Sequence, residues 1–339
     1  MKRIVIVALA VLFITGVVWT EGAKEATRVN YPQRDIFVYI FSSQGGGTDA
    51  WTRHLAKLME PELGVKLLMN NLPGANGGNG GQKVWNSDHD GYTVLGASET
   101  AMFFGSNGVA PTAENWHFFI GGGSPGVIAV PADSPYKTVE DLVAAAKANP
   151  ESVKISNSGT GKLWNIKAVQ LEEGAGVRFK HVPYNGSGPA LTALLSKEVD
   201  ALSASAGEVA EYVRGGLMRP LIMTEAVSMN FDGFGEVRAG SKVYPKTAFG
   251  YENMFQWLGF MLPIDTPEER VKIFEAAFLK AVNDPSTKEF AEKQNARIIG
   301  LSGEKAATLA NNMQQVSWWI ANDLGLAKVS PESAGIQRP

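Results

Sequence analysis

The chain has 339 residues, 45% hydrophobic and 19% charged, an ordinary globular composition with length for two domains. Its 31 Lys and Arg against 34 Asp and Glu leave a net charge of -3, without the basic excess of a nucleic-acid surface, so nucleic acid is not an expected partner. Cysteine is absent, which removes disulfides, thiol catalysis and Cys-ligated metals together.

The amino terminus carries Lys2-Arg3, then an apolar run from Ile4 to Ile14 that continues to Trp19, then polar Glu21, Lys24 and Glu25. That order of parts reads as a secretory signal over residues 1–22, with Thr20-Glu21-Gly22 as small-residue spacing before a mature start near Ala23. The run is shorter than the roughly 20 residues of a spanning helix, which makes a retained anchor the weaker reading. Export to the periplasm is expected.

The first strand, Ile36 to Phe41, runs into Ser43-Gln44-Gly45-Gly46-Gly47-Thr48-Asp49 and a helical pattern from Ala50, with Thr48 expected as N-cap. Three glycines bring backbone N–H groups close to a bound group at the positive end of a helix, which is an anion seat. Gly64 ends this helix, and Val65 to Met69 reads as a second strand. The run from Asn71 to Gly81, including Asn76, is a second candidate seat, too rich in glycine for packed regular structure, with a short helix from Gln82 to Trp85. Tyr92 to Gly96 and Val127 to Pro131 are strands, and Thr138 with Asp141 forms a capping box before a helix to Asn149.

Val153 to Ser156 is a strand delivered into Asn157-Ser158-Gly159-Thr160-Gly161-Lys162 and a helix, so the opening device reappears. It returns after the strand Phe179 to Tyr184, where Asn185-Gly186-Ser187-Gly188-Pro189 opens a helix with proline expected at its first position. Val199 to Ser205 is a strand before a helix from about Gly207 to Arg214, and Pro220 to Thr224 is apolar again. Residues 225–251 read as loop. Trp257 to Leu262 is a strand, Thr266-Pro267-Glu268-Glu269 a capping box opening a helix to Val282, and helices near 286–294 and 303–322 complete an α/β chain.

Several seats together imply one shared anion site. A helix terminus contributes about 0.3–1 kcal/mol to a nearby charge, and charge-assisted hydrogen bonds about 1.5–3 kcal/mol each. Several of them reach the roughly -8 kcal/mol of a micromolar ligand without an arginine clamp. A small carboxylate fits, with phosphate as the alternative.

Enzyme readings fail one by one. Gly45-x-Gly47-x-x-Ala50 matches a dinucleotide fingerprint, but the second strand ends in Asn70-Asn71 where an acid is required. Gly161-Lys162 lacks the rest of a P-loop. His54, His89, His117 and His181 are scattered, no HExxH or G-x-S-x-G occurs, and the carboxylates are paired by no spacing. No catalysis, cofactor or metal is expected.

Gly45-Gly46-Gly47-Thr48-Asp49 with Arg53, Asn71-x-Pro73-Gly74-Ala75, Asp90-Gly91-Tyr92-Thr93, Val130 to Pro135, and Val182-Pro183-Tyr184-x-Gly186-x-Gly188-Pro189-Ala190 occur in this order. As a set they resemble the solute receptors of tripartite tricarboxylate transporters, the Bug family. The resemblance implies a two-domain periplasmic binding protein fold of type II, with two α/β domains joined by two crossovers and a ligand cleft between them. Domain 1 would comprise 29–125 and 224–339, and domain 2 126–223. It further implies a monomeric receptor that captures a small carboxylate and passes it to membrane permease subunits. A sensor presenting a carboxylate to a signalling partner is the alternative.

Carried over by position, the implied ligand residues are Gly46, Gly47, Thr48 and Asp49, then Ser158, Gly159 and Thr160, then Tyr184, Gly186 and Ser187. Asn76 of the glycine run joins them. Gln44, Lys162 and Ser205 stand where this chain departs from the family pattern, and Ser203-Ala204-Ser205 replaces an acidic residue often found there. Asp49 has a second, structural reading as a partner of its own helix start. For Lys162 two readings stay open: a cation that favours a di- or tricarboxylate, or a solvated side chain at a helix start.

Overall fold

The computed structural model describes residues 30–245 and 254–339, so the expected signal at 1–22 and part of the loop at 225–251 lie outside the described residues. The strands are β1 Ile36–Ile40, β2 Leu67–Asn71, β3 Thr93–Ser98, β4 Trp116–Gly123, β5 Gly126–Pro131, β6 Lys154–Asn157, β7 Lys180–Pro183, β8 Ala201–Ser205, β9 Met218–Met223, β10 Met229–Phe231, β11 Gly235–Val237, β12 Leu258–Pro263 and β13 Arg297–Leu301. One sheet has the order β13-β4-β12-β3-β1-β2 and a second β7-β6-β8-β5-β9. The chain passes from the first sheet to the second between Gly123 and Gly126, and returns between Met223 and Leu258.

Alternation places β1 at the heart of the first sheet. Ile36, Val38 and Ile40 are fully buried while Phe37 between them is exposed, the period-2 pattern of a strand whose two faces differ. β1 pairs in parallel with β2 and β3, as crossovers through the Gly47–Leu63 and Gly78–Trp85 helices require. Apolar clusters pack on both faces of each sheet. A fifth cluster joins Leu163, Trp164 and Ile166 to Phe103, Met254, Val316 and Ile320, and so ties the second sheet's Leu163–Ala175 helix to elements around the first.

Several local expectations are corrected. The first helix begins at Gly47 with Gly46 as N-cap, so Thr48 sits inside the first turn. Pro189 is likewise inside the Ser187–Leu195 helix rather than at its first position, where the first-turn N–H it lacks would be unpaired anyway. The Thr138 capping box forms with both bonds, whereas the Glu268–Val282 helix starts after Pro267 without a side-chain cap. Glycine misled most. Gly78, Gly80 and Gly81 lie inside a helix, because a Cβ at Gly80 would come within 2.7 Å of Phe41 and one at Gly78 within 2.6 Å of Val109.

Gly121 to Gly123 lie within β4, where a Cβ at Gly122 would stand 2.2 Å from the Trp51 ring. Glycine here admits a large neighbour, and its appearance in sequence as a break conceals a strand. Two short strands, β10 and β11, pair as a hairpin in the stretch read as loop, and β13 was not foreseen. The second strand is Leu67–Asn71, two residues later than expected.

Candidate functional site

Residues just beyond the carboxyl ends of β1, β3, β6, β7 and β8 line a narrow cavity of about 20 Å³, room for about one water molecule. From the first sheet come Phe41, Ser42, Gly46, Gly47, Thr48, Ser98, Glu99, Thr100 and Gln256. From the second come Ser158, Lys162, Trp164, Gly186, Ser187 and Glu208.

Of the residues foreseen from sequence, Gly46, Gly47, Thr48, Ser158, Lys162, Gly186 and Ser187 meet at this cavity. The others do not line it. Asp49 is buried in its own turn, accepting from Gly45 N at 3.2 Å, Arg53 Nε at 2.8 Å and Asn71 Nδ2 at 2.9 Å, the structural reading of the two. Gln44 and Thr160 are exposed. The Tyr184 hydroxyl donates to exposed Glu198 at 3.0 Å. Asn76 spans the two sheets' loops, donating from Nδ2 to Thr160 O at 2.9 Å and to Asn107 Oδ1 at 3.1 Å.

The turns are also less bare than their composition implies. Gly159 N donates to Asn157 Oδ1 and Gly161 N to Asn165 Oδ1, while Gly47 N donates to Glu208 Oε1 at 2.8 Å. The chain's own oxygens thus satisfy amides that the sequence reading assigned to a ligand. Gly186 and Gly188 instead let the facing loops approach: a Cβ at Gly188 would lie 2.5 Å from Gln44 O, and one at Gly186 3.2 Å from Ser43 N.

Lys162 is only 5% exposed and is the N-cap of the Leu163–Ala175 helix, which overturns the solvated reading. Burial lowers its pKa to about 8, opposed by the field of Glu99. Glu99 is 4% exposed, and its carboxyl is pushed up to about 8 by burial first and by the charge of Glu208 second. Its Oε2 is buried without a hydrogen-bond partner, as is Gln256 Oε1.

Glu99 and Glu208 are the charged residues the sequence reading missed, since carboxylates far apart in the chain meet only in the fold; Phe41, Ser42, Ser98, Thr100, Trp164 and Gln256 also line the cavity unforeseen. Signals for both existed. Glu99 follows directly on β3, and ligands of open α/β sheets lie beyond carboxyl ends of strands. Ser205-x-x-Glu208 has capping-box spacing, and that box forms: Ser205 Oγ accepts from Glu208 N, and Glu208 Oε2 accepts from Ser205 N at 3.0 Å. Ser205 therefore positions the carboxylate instead of lining the cavity.

Residues 51–326 match the tripartite tricarboxylate transporter family receptor. The chain belongs to that family. It is a family of receptors rather than enzymes, in keeping with the expectation drawn from failed catalytic motifs. A protein encoded in the gbd 5' region of Cupriavidus necator is 29% identical over 90% of this chain and 91% of its own length. Among solved structures, a TctC solute binding protein from Polaromonas is 28% identical, with a TM-score of 0.61 over 86% of this chain and 99% of that one. An R. palustris protein with adipate is 19% identical, with a TM-score of 0.78 over 88% of this chain and 99% of that one. The receptor's two α/β domains have the type II periplasmic binding protein fold that the resemblance implied. Among the described residues no helix is long and apolar enough to cross a membrane.

Proposed function

We propose that this receptor is exported to the periplasm, captures a small carboxylate in the cavity between its two sheets, and delivers it to permease subunits of a tripartite tricarboxylate-type transporter. The observation that carries this reading is the convergence of Lys162 with Ser158 and Ser187 at the amino-terminal ends of two helices, where an anion gains from charge, hydroxyls and helix dipoles at once. The adipate held by a neighbour of the same fold makes dicarboxylates a first class to test. Lys162 alone would favour a second anionic group on the ligand. The domains are assigned as 29–125 with 224–339, and 126–223, with closure about the two crossings.

Native mass spectrometry of the purified mature protein, with part of the sample denatured to release bound acids, is the direct test, followed by a thermal-shift panel. A co-purified acid, or a Tm that climbs with carboxylate concentration as linkage demands, supports the reading. A response to sugars, nucleotides or metals with none to acids sinks it.

A further inference from the structure

A carboxylate of the protein itself sits on the glycine turn after β1. Gly47 N, an amide in the first turn of the Gly47–Leu63 helix, donates at 2.8 Å to Glu208 Oε1, which comes from the helix after β8 in the other domain. Such an amide has no acceptor within its own helix and lies at the positive end of the dipole, so a carboxylate is the acceptor it favours. The side chain is aimed by its capping box: Oε2 accepts from Ser205 N at 3.0 Å and from Ser205 Oγ at 2.9 Å, which leaves Oε1 for Gly47. Glycine makes the approach possible, since a Cβ at Gly47 would press within 3.3 Å of Glu208 Oε1. Two neutral bonds also cross the cleft, Ser43 Oγ to Asn185 O and Asn76 Nδ2 to Thr160 O at 2.9 Å. Of these three contacts only Glu208 brings a charge. With it in place the cavity, at about 20 Å³, has room for about one water and none for a ligand's carboxylate on the same amide.

We propose that Glu208 is an interdomain clasp, which holds the receptor shut through Gly47 N and competes with the ligand for that amide, so that capture begins with its release. The clasp is independent of what the ligand is. The competition rests on the reading that the cavity takes a carboxylate. Because the clasped form does not bind, the observed affinity is reduced by the fraction of receptor that is unclasped. Removal of the Glu208 carboxylate therefore has two separable effects, an opening of the cleft and a tightening of binding.

The test reads the two effects separately. Because the chain has no cysteine, Lys57→Cys and Leu195→Cys, at exposed positions of the helices that start on the two sides of the cleft, carry spin labels without background. In the ligand-free protein, Glu208→Ala should lengthen the distance between the labels by more than about 2 Å, the scale of a domain rearrangement. Glu208→Asp should do the same. An aspartate caps a helix from the equivalent place in this chain, as Asp141 does after Thr138, but its shorter side chain withdraws from Gly47. The Asp variant thus separates loss of the clasp from loss of the cap, and its Tm should stay with that of the parent. Calorimetric titration with mono- and dicarboxylic acids of two to six carbons should show an acid that binds both variants at least threefold more tightly than the parent. Unchanged distances in both variants would overturn the clasp and leave the carboxylate receptor standing. Longer distances with weaker binding would overturn the competition and make Glu208 part of the ligand's own site. If no acid binds parent or variant, the carboxylate reading falls, and the distances still decide the clasp.

Discussion

Two lysines of the same helix are buried, Lys162 as its N-cap beside the cavity and Lys167 in its second turn near the return crossing. Lys167 has no exposed side chain at all and stands 3.7 Å from Glu225 Oε1, on the segment that leaves β9. Burial raises the pKa of Glu225, against which Lys167 and the Gly126 amide pull it down. The two charges face each other at ion-pair distance, without a hydrogen bond at either Lys167 Nζ or Glu225 Oε1, and neither residue lines the ligand cavity. Lys162 is buried as deeply, yet neither glutamate beside it comes within pairing distance, and its wall opens on a cavity. Equal burial thus has two meanings. A charge set against an opposite charge inside the protein serves the structure, whereas one that lines a cavity can act on a ligand.

The difference can be broken by mutation, starting with the largest effect. Lys167→Met leaves Glu225 buried without its cation, and removal of one partner of a buried pair costs about 3–5 kcal/mol. Urea unfolding should show that loss with ligand affinity of the folded fraction unchanged. A loss under about 1 kcal/mol would mean the pair is solvated and the contrast false. Lys162→Met should behave inversely. Its binding loss is that of a charge-assisted bond, about 1.5–3 kcal/mol or roughly 10- to 100-fold in Kd, while stability holds or rises because a desolvated charge is gone.

The pH dependence of stability sharpens the same point. Glu99, with its folded pKa raised to about 8, contributes stability that is full below its ordinary range and lost as pH rises through about 8. Lys162, depressed to about 8, contributes stability that is present above its ordinary range and lost as pH falls through about 8. The Glu99 contribution is thus smallest above about pH 8 and the Lys162 contribution below it, so their sum is smallest near pH 8. The Tm of Glu99→Gln should gain on that of the parent between pH 5 and pH 8 and stop gaining beyond; a difference flat across that window would show Glu99 already ionised. The smallest effect belongs to Glu208→Ala, which removes half of a capping box and the bridge to Gly47. About 1 kcal/mol of stability should go, as for a lost cap, measurable as a lower urea midpoint at unchanged m.

The contrast also shows how far local pattern reached. The strand-turn-helix device after β1, β6 and β7 was legible because period-2 apolar alternation, glycine and a helical pattern are local properties of adjacent residues. Seven of the foreseen residues, Gly46, Gly47, Thr48, Ser158, Lys162, Gly186 and Ser187, reach the cavity for the same reason. β4 was not legible, because Gly121 to Gly123 are excused from breaking a strand by Leu55, Trp51 and Gln256, which approach from elsewhere in the chain. Asp49 and Tyr184 stood at the right positions but turned to Arg53, Asn71 and Glu198.

Local pattern was enough for the class of this protein: alternating strands and helices, glycine turns at helix starts, an ordered set of family blocks and no catalytic motif. Those are properties of neighbours in the chain, where sterics and hydrogen-bond spacing act over a few residues. The chemistry of the cavity came from packing in three dimensions. Glu99 arrives from the end of β3 and Glu208 from the helix after β8, and their meeting with Lys162 sets which charges are buried, which are paired and which still lack a partner. Desolvation and Coulomb energy depend on distance through space, which no reading along the chain contains.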